Sequence, residues 1–228
     1  YGEFSENIGP KHWIGTAKAI GEEIKKGVQG IVIGHGTDIM HHTSAALSFM
    51  VRNSPVPIVM VGSQRSSDRP SSDAALNLIH SVKTAAESDI AEVLVCMFGP
   101  TSDIYGLLHR GTRVRKMHSS YRSTFRTIGE TPLATVSKES IIPLNHNYKK
   151  RRNDNDVIIN PVFEEKVSII YYYPNMQPDI IDSLIDNGYR GIVIAGTGLG
   201  HVNKPMYPAL KRAYDAGVVV YMTVQTLW

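Results

Sequence analysis

A single cysteine, Cys96, stands among the 228 residues of this chain. One thiol cannot build an intrachain disulfide framework, and the natural home for such a protein is a reducing cytoplasm. Cys96 lies inside Glu92-Val-Leu-Val-Cys-Met-Phe98, where a small buried residue suits a strand, so catalytic use of the thiol is not expected. Long apolar runs are also missing. Gly191-Ile-Val-Ile-Ala-Gly196 and Gly217-Val-Val-Val-Tyr-Met222 fall far short of the roughly 20 residues that span a bilayer, and no secretory signal is visible. The charge excess is small, +3 at pH 7, which permits an acidic partner without pointing to one. Two hydrolase signatures are absent, the G-x-S-x-G elbow and the zinc-binding H-E-x-x-H. His35, His41 and His42 cluster without zinc-ligand spacing, so no metal is expected.

What is present is enough apolar content, 42%, to bury a full core as one large or two small domains. Strand-length apolar runs alternate with amphipathic segments, the pattern of an α/β fold with a mostly parallel sheet and helices on both faces. Pro10 suits a first helical turn, and Trp13, Ile14, Ala17, Ile20 and Ile24 recur at helical spacing until Gly27. Strand 31–34 follows, then a helix over about 44–53, a buried strand over 56–61 and the polar loop 62–73. A helix with Ala74, Leu78, Val82 and Ala85 on its inner face leads to strand 93–98. Segment 103–116 alternates apolar and basic residues and reads as an extended hairpin overhanging the sheet. The basic run 149–152 and the Asn-Asp-Asn-Asp that follows it read as a solvated loop, with RNA contact as the lesser alternative.

Composition turns polar between about 145 and 161, and βαβ alternation restarts at Val167. A larger N-terminal domain over 1–155 and a smaller α/β domain over 156–228 are therefore expected. Strands 167–173, 191–195 and 218–223 alternate there with helices 178–187 and 205–216. Gly196-Thr-Gly-Leu-Gly200 lacks dinucleotide-fingerprint spacing and reads as turn glycines. The chain starts at Tyr1 without methionine and stops at Trp228 directly after an apolar strand, and so reads as truncated at both ends.

The most informative stretch is Gly30-Ile-Val-Ile-Gly-His-Gly-Thr-Asp-Ile-Met40, a strand running into a glycine-flanked Thr37-Asp38 pair. In open α/β sheets ligands bind at the carboxyl ends of strands, so a hydroxyl and a carboxylate are presented where a small molecule would sit. The plainer alternative is that Thr and Asp serve as turn and N-cap residues. A threonine hydroxyl is a poor nucleophile at pH 7 and needs a base. A lysine such as Lys116 supplies one only if its surroundings lower its pKa. Thr37, Asp38 and Lys116 could thus do amide chemistry, provided the fold joins them.

In order along the chain, Gly34-His-Gly-Thr-Asp38, the segment from Val61-Gly-Ser-Gln-Arg through Ser-Asp-Ala-Ala75, and the lysine of Arg110-Gly-Thr-Arg-Val-Arg-Lys116 resemble the asparaginase/glutaminase type I family. The likeness is strongest to its archaeal branch serving tRNA-dependent amidotransferases, and it covers essentially the whole chain. The resemblance implies that Thr37 and Lys116 move protons while Asp38 binds the amino-acid ammonium. It places Ser5 on the substrate α-carboxylate and Ser63 at the substrate, and puts Glu6 where plain asparaginases often carry glutamine. The reaction implied is hydrolysis of a glutamine or asparagine side-chain amide through an acyl-enzyme, with ammonia as the useful product.

The resemblance further implies a homodimer that joins a kinase-like, tRNA-binding partner subunit in a heterotetramer. That subunit would use ATP and Mg to amidate glutamate on tRNA(Gln), while this chain holds no cofactor. Arg113 and Arg115 are candidates for contact with tRNA or the partner. Two departures qualify the likeness. The family's glycine-rich Thr-Gly-Gly-Thr-Ile motif, which carries the primary nucleophile, does not occur here, so this piece alone is expected to be inactive. Leu199 stands where free asparaginases tend to place asparagine, which argues against the second reading, a free cytosolic L-asparaginase. A third reading is a non-catalytic module that uses loop 66–72 to hold an amino acid or another protein chain.

Overall fold

Pro10 opens helix α1 (Pro10–Lys25), and Gly27, at a φ of +85° that disfavours any side chain, closes the turn after it. The computed structural model describes residues 2–154 and 156–227. Tyr1, Asn155 and Trp228, which mark the expected ends and the expected boundary, lie outside the described residues. Strand β1 (Ile31–Gly34) leads to α2 (Met40–Met50) and the short β2 (Val51–Arg52). Helix α2 begins and ends earlier than expected; Val51, at φ −117° and ψ 87°, has already left the helical conformation, and Asn53 takes a left-handed φ of +58° that no helix continues. Then come β3 (Ile58–Val61), α3 (Ala74–Glu87), β4 (Val93–Phe98), β5 (Gly106–Arg110), β6 (Val114–Lys116), β7 (Phe125–Thr127), β8 (Ala134–Val136), β9 (Ile141–Pro143) and β10 (Ile158–Ile159).

The main sheet runs β1-β3-β4-β5-β8-β9. Strands β1, β3 and β4 are parallel, but every pairing from β4 onward is antiparallel. The sheet is therefore mixed and not mostly parallel: β5 returns through loop 99–105 without the crossover helix that a parallel strand needs. Segment 103–116 is likewise not one hairpin. Strand β5 joins the main sheet, whereas β6 pairs with β7. The chain parts at Gly111, whose N–H is held by the Val93 carbonyl at 2.8 Å.

Side chains alternate across the sheet as strand geometry requires. Ile58 and Met60 of β3, with Val93, Val95 and Met97 of β4, pack against Ala17, Ile20, Ile24 and Leu47 of the first two helices. Val59, Leu94 and Cys96 face the other way, towards Ala85, Leu108 and Leu133.

Helix α3 covers that second face with a polar stripe. It buries Asn77, His80, Ser81, Thr84 and Ala85, while Leu78, Ile79 and Val82 are about half exposed, so the expected inner face holds at Ala85 but not at Leu78 and Val82. Ser81 and Thr84 satisfy their hydroxyls on the carbonyls one turn back, Asn77 and His80, at 2.8 Å each. What they then offer the sheet is small. The backbone of Ala85 comes so close to Gly30 that any side chain there would collide with it, and Gly106 lets His80 in on the other side. A Leu or Val stripe would not fit this separation.

The two arginines of the basic run are also drawn inward. Arg151 donates to the carbonyls of Ser88 (2.9 Å), Ala85 (2.8 Å) and Gln29 (2.6 Å), capping the end of α3. Arg152 reaches the Asn53 carbonyl at 3.0 Å. Lys149, Lys150, Asn153, Asp154 and Asp156 are exposed as a solvated loop requires, but Arg151 and Arg152 depart from that expectation and anchor the segment.

The chain divides into two units, one running to Val162 and the other starting at Phe163. The expected boundary at 155 falls earlier, because β10 pairs antiparallel with β2 and keeps its segment in the first unit. The second unit holds a parallel sheet of β11 (Val167–Tyr171), β12 (Gly191–Gly196) and β13 (Val219–Val224) with helices α4 (Asp179–Asp186) and α5 (Tyr207–Asp215). Its core gathers Ile170, Ile181, Ile192, Ile194 and Met206. Gly198 and Gly200 have φ of +53° and +103°, as turn glycines do. Among the described residues, no helix is long and apolar enough to cross a membrane.

Replacing Arg151 with methionine removes these carbonyl contacts but keeps the stem. Urea denaturation of the variant is expected to show a loss of about 2 kcal/mol, the scale of charged hydrogen bonds. An unchanged midpoint would return Arg151 to the class of solvated surface groups.

Candidate functional site

The loop after β1 and the far end of β6 meet at the carboxyl edge of the parallel strands. Lys116 Nζ donates to Thr37 Oγ1 at 2.9 Å and to Asp38 Oδ1 at 2.7 Å. The lysine side chain is 9% exposed and the Asp38 side chain 67%. Lys116 is thus a donor to Thr37. It can accept the threonine proton only after losing one of its own, and the exposed Asp38 keeps an oxygen free for an incoming cation.

Each backbone around this trio is fixed separately. Lys116 lies opposite Phe125 in the β6–β7 ladder, and the next residue, Met117, bonds the Thr124 carbonyl at 3.0 Å. On the other side, His35 braces the loop. Its Nδ1 sits 2.6 Å from the Gly36 carbonyl and its Nε2 3.0 Å from Thr43 Oγ1, which accepts from Trp13 Nε1 at 2.9 Å. The carbonyl requires Nδ1–H, so Nε2 accepts from Thr43 and the chain of donors runs from Trp13 to His35. Burial holds the His35 pKa below its usual value, in keeping with a neutral ring.

Ser5, in a single 3-10 turn (Ser5–Asn7), is buried against Gly36. A Cβ at Gly36 would lie 2.7 Å from Ser5 Cβ and 2.9 Å from its Oγ, so this glycine is needed to admit the serine. Gly34, the other glycine beside His35, faces open space. Glu6 is on the same turn as Ser5 with an exposed side chain.

Ser63, half-buried, follows Gly62 at the end of β3. Gly62 is pressed against the His35 carbonyl, and a Cβ there would stand 3.3 Å from Thr37 Cγ2. This second loop is held by a residue that sequence reasoning did not single out. Asp73 is fully buried, and its carboxylate accepts from the backbone N–H of Gln64 (2.9 Å) and Arg65 (2.8 Å) and from Asn77 Nδ2 (2.8 Å). Asn77 Nδ2 also lies 3.0 Å from the Gly62 carbonyl. The available signal was the density of Ser, Asp and Gln in 62–73, together with an Asp and an Asn one helical turn apart.

His41 and His42 stack with ring centroids 4.1 Å apart. Burial first, then the neighbouring His42, Arg115 and Lys116, push the His41 pKa down to about 4. No cluster of three or more side chains suited to a metal ion occurs among the described residues.

Two family models match this chain. "Asparaginase, N-terminal" covers residues 2–149, and "Glutaminase/Asparaginase C-terminal domain" covers 166–228. The D-type subunit of the glutamyl-tRNA(Gln) amidotransferase of Pyrococcus furiosus is 51% identical over 225 residues, 99% of this chain and 51% of that protein. Its namesake from Methanobrevibacter smithii is 52% identical over 229 residues, 100% of this chain and 52% of that protein. The chain spans about half the length of the curated relatives it matches. Among solved structures, the thermostable L-asparaginase from Thermococcus kodakarensis superposes with a TM-score of 0.86 at 28% identity, covering 98% of this chain and 65% of that one. L-asparaginase I from Vibrio cholerae gives 0.86 at 28%, with 99% and 66% covered.

His109, fully buried on β5, has its pKa pushed down by burial to about 3, and His41 is held at about 4. Both rings are neutral in the fold, whereas an unfolded histidine protonates near 6.5. Between those values the unfolded chain binds more protons, so stability is full above about pH 6.5 and falls as pH drops towards 4. Thermal midpoints should therefore decline steadily through this window. A midpoint that stays flat would mean that the rings accept protons without leaving their packing.

Proposed function

The chain belongs to the asparaginase family, and from that premise we propose that it supplies the threonine–aspartate–lysine part of an amidase site that releases ammonia for a tRNA-dependent amidotransferase. The observation that carries the reading is the Lys116 ammonium between Thr37 Oγ1 and Asp38 Oδ1. In this reading Lys116, once neutral, takes the proton that Thr37 passes on as a nucleophile attacks the amide carbon, and returns it to the departing nitrogen. Asp38 holds the substrate ammonium with its exposed carboxylate. Ser5 receives the α-carboxylate, with Glu6 and Ser63 beside the substrate. The nucleophile itself is the family's other threonine, whose motif this chain does not contain.

The amidotransferase role is supported by the relatives, which share about half of all residues with this chain over essentially its whole length and are named for that complex. The partner in this proposal is a kinase-like subunit that binds tRNA(Gln) and uses ATP and Mg, with this protein as a homodimer in a heterotetramer in the cytoplasm. Glutamine or asparagine is the small substrate. The L-asparaginase structures support the second reading, a free asparaginase, at lower identity.

Ammonia release from glutamine and from asparagine, with and without the partner subunit, Glu-tRNA(Gln) and ATP, separates the two. Glutamine turnover that rises on adding all three is the expected result. Rapid asparagine turnover by the lone protein would transfer the case to the asparaginase. In the intact protein, Thr37→Ala and Lys116→Ala are each expected to lower kcat by roughly 10²–10⁴-fold, the range of a lost proton relay. Activity close to that of the wild type in either variant would remove it from the mechanism.

A further inference from the structure

Beside the Lys116 site, beyond Gln64, lies an open cleft of about 470 Å³ lined by Arg65, Arg69, Arg122, Gln64 and serines, with no acidic residue in its lining. Arg65 and Arg69 are exposed, and their guanidinium groups have no partner among the described residues. Arg122 is built in. It pairs with Asp103 at 2.9 Å, donates to the Ser71 carbonyl at 3.2 Å and stacks 4.6 Å above the Phe98 ring. Its Nε is nevertheless out of solvent without a hydrogen-bond partner, as is Gln64 Oε1. Ser71, whose carbonyl meets Arg122, sits at a φ of +57°, a left-handed conformation that costs energy for a residue with a side chain.

Three guanidinium-bearing residues line this cleft, against Asp103, which pairs with Arg122, and Asp68, which accepts from the hydroxyl of the lining Ser66, and each guanidinium is a planar fork suited to oxyanions. A carboxylate ligand would neutralise one of them. A phosphate group, with more oxygens and room in a cleft this size, can bridge two. Gln64 makes the wall common to both sites: its backbone N–H is held by Asp73, and its side-chain amide donates at 2.6 Å to the carbonyl of Ser119, three residues beyond Lys116.

We propose that this arginine cleft is a phosphate-binding site adjoining the amidase site, filled by a phosphodiester of bound RNA or by free phosphate. The proposal goes beyond the amidase reading and does not depend on it.

The test uses the intact protein and its Arg65→Gln/Arg69→Gln double variant, whose altered side chains are exposed and leave the core untouched. Two probes are titrated, inorganic phosphate and an unmodified tRNA transcript, the latter at several salt concentrations. If the phosphate belongs to RNA, the variant should bind the transcript at least about tenfold more weakly, with a salt slope shallower by one to two. If it is free phosphate, the wild type should bind inorganic phosphate, the variant should lose it, and transcript binding should be unchanged. Equal binding of both probes by the two proteins would overturn the proposal. So would displacement of phosphate by glutamine or asparagine, which would assign the arginines to the amino-acid pocket.

Discussion

An ammonium group taken almost entirely out of water must be met by oxygens, and the arrangement around Lys116 follows from that requirement. A buried charge without partners costs several kcal/mol. Lys116 finds its partners 79 and 78 residues earlier in the chain, at Thr37 and Asp38. The β6–β7 ladder and the loop between β1 and α2 are thereby tied to one point, although neither is near the other in sequence. The rest of the site is arranged so that the oxygens are waiting. His35 fixes the turn before Thr37, and Gly36 yields its side-chain space to Ser5. Gly62 brings a second backbone up against Thr37.

The second ionic group inverts the first. Asp73 is a fully buried carboxylate that makes no ion pair among the described residues and is satisfied by three N–H donors. Two of these are backbone groups of the loop it stabilises. A lysine at the same place could reach across a gap, but it could not hold a turn by its amides. The lysine thus joins distant parts of the chain, and the aspartate shapes a local one. Gln64 belongs to both arrangements, being held by Asp73 and donating to the Ser119 carbonyl, three residues past Lys116.

Much of this was legible in the sequence, and what was not has identifiable physical causes. Thr37 and Asp38 could be read because they stand where a buried strand runs out. Lys116 could be read only as the third member of an ordered set, since no periodicity shows a contact across 79 residues. The inner face of α3 was misplaced because hydrophobic periodicity ranks Leu78 and Val82 above Ser81 and Thr84. It cannot register that back-bonded hydroxyls let a helix approach more closely than leucines allow. Arg151 looked like part of a solvated run because composition does not show that the end of a helix lies within its reach. The parting of β5 from β6 depends on partners that neither strand announces.

Helix α3 also isolates the one thiol. Cys96 lies beneath Ser81 and Thr84 in a strand covered on both faces, and burial pushes its pKa up to about 12. Electrophiles consume thiolate, and the native molecule presents essentially none. A maleimide would therefore register only those moments when α3 lifts from the sheet, and labelling would proceed no faster than that opening. These 228 residues thus carry their own clock for the loosening of their central layer, with no engineered cysteine and no second thiol among them.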